Sequence, residues 1–535
     1  MWISTGADVA SLDRHRLDII SPAQYSCLFP NSRAMDPKLL RPNILANLIG
    51  SGWIALLTLV ATPIQIHLLG VEAYGLVGLI TVLQIVFGTL DLGLSASVTQ
   101  TIASDRSPER MQSAKLTNSV SSIYAFMALL IGALIWLTAG WIATKWLKPH
   151  VLDRETILGA VRAIGLYVAF RWPIAFYTGV LNGIQRMDVL NLLKSGAATV
   201  RTVAGIVLII ISPNIMLFLA WFAVSALAEL IAFATVTHRL VPELKPGIQI
   251  SLSALKSIWR FSLTMAAIAV LSMLITQMDR IFVSKMLSLQ AFGYYSLAYT
   301  AGVAISLLQV SINNAALPAY ARAAAHSLSD LRARYANISQ LTSFAAALPC
   351  FLLVFFGADI LHLWVSEDAA KSAGLPLMLL SVGFFFNAAV SNSYLVAVAT
   401  RKVAIPAAVN AGGAILYMPA LFVLIGMFGT VGAASGWVLL NCYYLLTLLP
   451  AVHRKVLHEP ILPALWHVVA SPMLAAVIAA GSMKAASMAT SLPMATWIAF
   501  VLAVPAYLGL AHALARPPLR SALWTVLAPA REAAQ

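Results

Sequence analysis

Long apolar stretches follow one another through most of this 535-residue chain. The residues are 60% hydrophobic and only 10% charged, whereas a soluble chain carries about 25% charged residues, so the bilayer must be the solvent for this surface. Backbone groups in lipid have to be satisfied within the protein, which leaves helices or closed barrels. The apolar runs are continuous rather than alternating, which predicts an all-α polytopic membrane protein with about fourteen transmembrane helices.

The lysines and arginines are distributed unevenly among the segments between the predicted spans, and this distribution predicts the orientation. With the N-terminus in the cytoplasm, inside segments hold 24 of the 34 basic residues and outside loops hold six. Both termini are therefore predicted to be cytoplasmic. The net charge of +14 is then mainly a topology signal. No basic segment is long enough to dock nucleic acid, so no nucleic-acid partner is predicted.

The segment at 238–259 is the longest predicted non-membrane segment between spans, and a short repeat lies on either side of it. Residues 69–79 read LGVEAYGLVGL and residues 287–297 read LSLQAFGYYSL. Each joins two adjacent spans, and an even number of spans separates them, so the two units have the same orientation. This predicts a parallel pseudo-repeat of two six-helix lobes, with a substrate site between them.

These patterns divide the chain into six segments. They are a cytoplasmic N-terminal tail at 1–42, in which Met35 is a candidate start of translation, a first lobe at 43–237, a cytoplasmic linker at 238–259, a second lobe at 260–452, two extra spans at 463–514, and a cytoplasmic tail at 515–535. The second lobe includes predicted spans at 260–285, 403–426 and 430–452.

Seven ionisable residues lie inside the predicted spans. They are Asp91, Arg162, Arg171, Arg201, Glu229, Asp279 and Arg280. A charge near the bilayer centre costs ~2.5–3.5 kcal/mol even on the lenient scale, so it normally faces a partner or a watery cavity. Four of the seven are arginines, whose planar fork suits phosphate and carboxylate groups. The pattern predicts a cavity for an anionic ligand. The three cysteines match neither a disulfide framework nor a zinc spacing, and no metal or cofactor is predicted.

Arg171 and Arg201 lie at similar depth in adjacent spans and are the main candidates for binding substrate. The alternative is that both pair with acids such as Glu229 and Asp91 and only hold helices together. Arg162 is a weaker candidate, since it lies nearer the outer end, where it can snorkel. Arg280 is a further candidate for the cavity.

The three acids are candidates for binding a coupling ion, either a proton or sodium. Glu229 comes first because of its depth, followed by Asp279 and then Asp91. The alternative is that the acids are counter-charges for the arginines.

Several short patterns resemble the polysaccharide exporters, the lipid-linked oligosaccharide (O-antigen) flippases of the MOP superfamily. They are LLGVEAYGLVGL (68–79), LDLGLSASVTQTIA (90–103), GVLNGIQRMD (179–188), MDRIFVSKMLSLQAFGYYSLAY (278–299), ALPAYARA (316–323) and GTVGAASG (429–436). The resemblance implies a two-lobed transporter of the bacterial inner membrane that works by alternating access. It also implies an undecaprenyl-pyrophosphate-linked oligosaccharide as cargo, and a polysaccharide polymerase and export machinery as partners, in surface or exopolysaccharide biosynthesis.

Three other functions compete with this one. A MATE-like drug or metabolite efflux antiporter predicts a cavity dominated by acids and aromatics, whereas four arginines against three acids favour an anionic cargo. A membrane glycan polymerase or ligase needs catalytic groups on large outer loops. The longest predicted outer loop, near 358–373, is short, so an enzyme is not predicted. The third alternative is a non-catalytic scaffold protein, and the buried charges argue against it because a scaffold would not require them.

Overall fold

The computed structural model describes residues 37–104, 110–244, 252–490, 494–517 and 520, and every regular element in these ranges is a helix. The all-α prediction is confirmed. Residues 1–36 of the predicted N-terminal tail, including Met35, lie outside the described residues, as do 245–251 of the predicted linker and most of the tail at 515–535.

Eight α-helices make up the first half of the described chain. They are α1 (Pro37–Leu69), α2 (Val71–Gly88), α3 (Leu94–Ser104), α4 (Arg110–Trp141), α5 (Arg154–Arg171), α6 (Ile174–Gly183), α7 (Met187–Ile211) and α8 (Ile215–Leu240). Helix α1 packs against α7, α3 against α6, and α5 against both α4 and α8. Polar caps mark some helix starts: the Asn214 side chain accepts hydrogen bonds from the amides of Met216 and Leu217 at the start of α8.

Nine further helices follow. They are α9 (Leu252–Met286), α10 (Leu289–Val303), α11 (Ser306–His326), α12 (Leu328–Trp364), α13 (Glu367–Ala399), α14 (Ala404–Val452), α15 (Ile461–Ala464), α16 (Ser471–Met488) and α17 (Ala495–Leu514). Helix α13 packs between α12 and α14, and α14 also packs against α9. The last long helices, α16 and α17, pack against each other and against α12. Three serines, Ser288, Ser327 and Ser366, cap α10, α12 and α13.

Helix α14 is a hairpin of two arms that meet at Gly429. This glycine has φ 59° and ψ −132°, a conformation that breaks the helix. The arms run antiparallel, because a Cβ at Gly413 would contact Tyr443 and one at Gly436 would contact Leu421. The two arms cover the predicted spans at 403–426 and 430–452.

The count of about fourteen spans is not confirmed. Among the described residues, eleven helices are long and apolar enough to cross a membrane, or up to twelve if the bent pair α10 and α11 is one span. Two features contribute to the difference. The hairpin at 404–457 is counted as one span, and α9, which covers the predicted span at 260–285, has many side chains outside the described residues.

The two repeated segments pack against each other, through α2 and α10. A Cβ on Gly75 would lie 2.7 Å from the carbonyl oxygen of Leu289, and a Cβ on Gly293 would lie 2.2 Å from that of Val71. In the repeat alignment Gly75 corresponds to Gly293 and Val71 to Leu289, so the same contact occurs twice with the partners exchanged. Such reciprocity is the mark of a two-fold axis between the helices.

Replacing Gly293 with alanine should lower the apparent melting temperature in detergent. The added methyl group would meet backbone, which cannot swing away, and overpacking typically costs about 1–3 kcal/mol. Gly196→Ala is a matched control, because a Cβ there would meet no atom of the described residues within 4 Å. That change should leave the melting temperature unchanged or raise it, since alanine favours a helix over glycine. Equal melting of both variants would contradict a close contact at Gly293.

The two halves also meet at the end of the bundle that carries Glu72, which we call the Glu72 end. The backbone amide of Leu289 donates to the carbonyl of Lys148 at 2.9 Å, and the Lys148 ammonium donates to the carbonyl of Met286 at 2.8 Å. The indole of Trp146 donates to the Ser284 hydroxyl at 3.1 Å. The chain from 146 to 148 therefore ties the first half to the second.

The carboxylate of Glu72 holds the next part of this loop. It accepts backbone hydrogen bonds from His150, Val151 and Leu152 at 2.5, 2.7 and 3.0 Å. Glu72 is only 5% exposed, and the three amides satisfy its buried charge. The loop is thereby fixed to the start of α2.

Candidate functional site

A cavity of about 860 Å³ with charged and polar side chains in its wall lies among α2, α3, α5, α6 and α7. Its described lining comes from the first half of the chain, whereas the sequence predicted a site between the two lobes. Two cations, Arg171 and Lys194, and one acid, Asp91, are in its wall. The polar lining side chains are Gln84, Asp91, Ser95, Thr99, Gln100, Arg171, Thr178, Asn182 and Lys194. A polar, charged cavity within apolar helices is the environment that buried charges need.

Two helix breaks shape this cavity. The first lies between α5 and α6, where Pro173 interrupts the span directly after Arg171 and Trp172. The second lies between α2 and α3, where Leu92 and Gly93 both have positive φ. Broken helices inside a membrane bundle are typical of substrate sites, because the interruption opens space and frees polar groups.

Asp91 lies at the second break and is bonded locally. Its two oxygens accept hydrogen bonds from the hydroxyl of Ser95 at 2.7 Å and from the Ser95 amide at 3.3 Å. The carboxylate therefore caps the start of α3 and also faces the cavity. The structure does not pair Asp91 with the buried arginines through any described contact.

Arg171 and Arg201 meet at one acid, Glu229 of α8. Arg201 donates to Glu229 at 2.7 Å, and Arg171 lies 3.5 Å from the other carboxylate oxygen. The Glu229 side chain is 2% exposed, against 12% for Arg201 and 27% for Arg171. Two guanidinium groups against one carboxylate leave this triad with a net positive charge, and Arg171 is the member that lines the cavity.

Tyr167 fixes the arrangement of the triad. Both guanidinium groups lie over its ring, at 5.8 Å for Arg171 and 5.9 Å for Arg201. Its hydroxyl accepts hydrogen bonds from Arg171 at 3.1 Å and from Gln84 at 3.2 Å. The Arg171 fork is thus positioned from several sides while part of it stays open to the cavity.

The other candidate residues lie elsewhere. Arg162 lies over the ring of Trp136 at 4.9 Å and is not among the residues that line the cavity. Asp279 and Arg280 are each 2% exposed and lie at the junction of the two halves. These three residues are therefore not brought to Arg171.

Asp279 and Arg280 have separate partners at that junction. Asp279 accepts a hydrogen bond from the Tyr295 hydroxyl at 2.6 Å. Arg280 donates to the carbonyl of Gly78 at 3.4 Å and lies over the ring of Tyr299 at 4.6 Å. The Arg280 bond crosses from α9 to α2, so Arg280 contributes to the contact between the halves, whereas the Asp279 bond joins α9 to α10.

Lys194 is a cavity residue that the sequence analysis missed. Helix α7 begins at Met187, so Lys194 lies two turns inside the helix. It also lines a second cavity of about 580 Å³, which shares Thr99, Asn182 and Lys194 with the first and reaches Asn314 of α11. The signal available was the amphipathic spacing of Asn191, Lys194 and Ser195 before an apolar run.

Comparison with known proteins identifies the relatives of this chain. A family model described as "Polysaccharide biosynthesis protein" matches residues 40–324. A putative O-antigen transporter of Shigella flexneri is 24% identical over 396 residues, which cover 72% of this chain and 91% of that protein.

Solved structures of low sequence identity share the fold. The lipid II flippase MurJ in an inward closed conformation matches with a TM-score of 0.67 and 15% identity, over 88% of this chain and 98% of that chain. A multidrug resistance MATE transporter of the MOP superfamily, in an inward-facing conformation, matches with a TM-score of 0.56 and 15% identity, over 75% and 96% of the two chains. A Vibrio cholerae MATE transporter matches with a TM-score of 0.55 and 16% identity, over 79% and 98%. The chain shares its fold with these flippase and MATE transporter structures.

Proposed function

Since this chain belongs to the polysaccharide biosynthesis protein family, a family of transporters rather than enzymes, we propose that it is a flippase for a polyprenyl-pyrophosphate-linked oligosaccharide. It would move this cargo across the bacterial inner membrane by alternating access, for surface or exopolysaccharide biosynthesis. The observation that carries the proposal is the cationic wall of the 860 Å³ cavity, formed by Arg171 and Lys194.

The chemistry of the cavity suits a pyrophosphate joined to sugars. Arg171 offers a planar fork for two phosphate oxygens, and Lys194 adds a second positive charge nearby. Asn182 and Gln84 supply amide groups for sugar hydroxyls. The volume lies within the ~300–1,000 Å³ usual for small-molecule sites, which fits the pyrophosphate and the first sugars rather than a whole polymer.

Arg201 acts in this proposal through Glu229 rather than on the cargo. Its bond to Glu229 takes up one carboxylate oxygen, and Arg171 interacts with the other at 3.5 Å. Without Arg201, Glu229 would draw Arg171 out of the cavity wall. Arg201 is therefore a positioning residue for Arg171.

A reconstitution experiment tests the function. Proteoliposomes would be loaded with a short lipid-linked oligosaccharide in one leaflet, and its appearance in the other would be followed with an impermeant sugar-modifying reagent. We expect protein-dependent movement with the glycan mass unchanged, whereas a polymerase or ligase would change the mass. Transport of a cationic dye without movement of the glycan lipid would instead support an efflux antiporter.

Of the three acids, the contacts favour Asp279 for ion coupling. Its Oδ1 atom is buried and has no hydrogen-bond partner among the described residues, whereas both oxygens of Glu229 interact with arginines and both oxygens of Asp91 accept from Ser95. We expect Asp279→Asn to remove any dependence of glycan transport on a pH or sodium gradient in proteoliposomes, while Asp91→Asn retains it. The reverse result would assign coupling to Asp91.

The proposed orientation places both termini, and the end of the bundle that carries Arg401, in the cytoplasm. Two exposed residues in matched i,i+4 ion pairs test this: Lys371 with Glu367, and Arg334 with Asp330. In a cysteine-free background, Lys371→Cys should react with an impermeant thiol reagent from outside the cell, and Arg334→Cys should not. The opposite labelling pattern would reverse the orientation.

A further inference from the structure

A third cavity, of about 240 Å³, lies at the end of the bundle opposite to Glu72, which we call the Arg401 end. It is formed where the last helices join α12 and the end of α14. Its polar lining side chains are Tyr335, His453, Glu459, His467 and Arg516, and its apolar lining includes Pro460, Pro463 and Val468. None of these residues belongs to the proposed substrate cavity.

Two stretches of π-helix border this cavity. One is His453–Leu457, which follows α14, and the other is Leu465–Ala470, which leads into α16. His453 begins the first stretch and His467 lies within the second. π-helical turns are rare and are frequent at functional sites, because the widened turn redirects side chains. Here both turns bring a histidine to the same cavity.

The hydrogen bonds around Gln340 determine which nitrogen of His467 donates. The buried Gln340 accepts a hydrogen bond from the Arg516 backbone amide at 3.0 Å, so its carbonyl oxygen is turned to Arg516. Its NH₂ group is then the one 3.4 Å from Nδ1 of His467, and this nitrogen must accept. The proton of the neutral ring is therefore on Nε2, which is free to donate into the cavity.

His453 adds a second buried imidazole to the wall. It is 1% exposed, and its Nδ1 lies 2.9 Å from the carbonyl oxygen of Leu449, so Nδ1 carries a proton. With its proton on Nδ1, a neutral His453 ring has only an acceptor nitrogen left for the cavity. The donors offered to an anion are therefore the Arg516 guanidinium and Nε2 of His467. Among the described lining residues Glu459 is the one acid, and it lies 3.8 Å from Arg332.

The surroundings of the cavity favour a lipid as the source of that anion. Leu462 and Trp466, on the same segment, are 76% and 47% exposed, as expected of side chains that face the bilayer. The exposed basic residues Arg454 and Lys455 lie at the same end. Basic pockets between membrane helices on the cytoplasmic side bind the head groups of anionic lipids.

We propose that this cavity, formed by His453, His467 and Arg516 at the joint with the last helices, binds the phosphate of an anionic phospholipid head group. The phosphate oxygens accept from Arg516 and from Nε2 of His467, and the acyl chains lie along the apolar surface near Leu462. The bound lipid would fasten α16 and α17 to the rest of the bundle.

Lipid titrations of the purified full-length protein in detergent test this. Phosphatidylglycerol should raise the melting temperature at lower concentrations than phosphatidylcholine, and inorganic phosphate should have little effect. Arg516→Gln should raise the phosphatidylglycerol concentration for half of the shift at least about tenfold, as expected for loss of a charge-assisted hydrogen bond. The matched control Arg454→Gln removes an exposed charge outside the cavity and should change it less than about twofold.

Glu459→Gln should change the apparent affinity for phosphatidylglycerol in the opposite direction to Arg516→Gln. It removes the acid from the lining, so phosphatidylglycerol should act at several-fold lower concentration. If Arg516→Gln and Glu459→Gln both titrate like the unmodified protein, the head-group site is refuted. If inorganic phosphate alone reproduces the full shift, the site binds free anions and the lipid assignment is wrong.

Discussion

Replacing Arg171 with alanine should reduce glycan export by about tenfold to a hundredfold, while the protein remains in the membrane at a normal level. A charge-assisted hydrogen bond is worth roughly 1.5–3 kcal/mol, which gives this range of affinity. The protein should persist because Glu229 keeps its closer partner, Arg201 at 2.7 Å. Arg171→Lys should give a partial loss, since lysine retains the charge but not the bidentate fork.

The measurement is surface glycan in a strain that lacks the gene, with the amount of membrane protein determined in parallel. Arg162→Ala is the matched control: it removes another intramembrane arginine of α5, one that lies over Trp136 and does not line the cavity. Arg162→Ala should export normally. Normal export by Arg171→Ala at a normal protein level would refute the proposed role of the cavity.

Replacing Glu229 with alanine should destabilise the protein severely. The carboxylate is 2% exposed and compensates two guanidinium groups, and breaking a buried ion pair by removing one partner costs about 3–5 kcal/mol. We expect a large loss of folded protein, measured by size-exclusion chromatography of a fluorescent fusion and by the melting temperature of what remains.

A double variant tests whether Glu229 is needed only as a counter-charge for the arginines or has a specific role in ion coupling. Glu229→Met combined with Arg201→Met removes the pair together, and replacing a buried pair with apolar side chains is often tolerated. Folded protein should return to near the normal level. If Glu229→Ala instead folds normally but loses the ion dependence of transport, Glu229 is the coupling residue and its main role is not as a counter-charge.

The depth of the buried charges could be predicted from the sequence, but their direction could not. Arg171 and Arg201 were predicted at similar depth, and they meet at one carboxylate. Arg162 lies nine residues from Arg171, which places the two side chains on opposite faces of α5, but which face lines the cavity depends on how the helix packs against its neighbours. The rotation of a transmembrane helix cannot be predicted from the hydrophobicity of its residues, since lipid-facing and core-facing residues are equally hydrophobic.

Helix boundaries account for what was missed at the site. Lys194 contributed only to the count of basic residues that predicts the orientation, but α7 begins at Met187 and places it two turns inside the helix. The break after Arg171 was signalled by Pro173, a residue that interrupts helices. The break at Leu92 was less evident, since a leucine with φ 51° is not expected from its side chain.

The reciprocal contact of Gly75 and Gly293 has a consequence for how the molecule assembles. An interface in which each partner presents the same surface is the kind that joins the subunits of a homodimer. The peptide link between the halves then acts mainly by raising their effective concentration, to the millimolar range for a short tether. Cut between α8 and α9, the two pieces should find each other again when they are made in one cell. The two halves of the transporter are therefore comparable to the two subunits of a heterodimer that are joined in a single polypeptide.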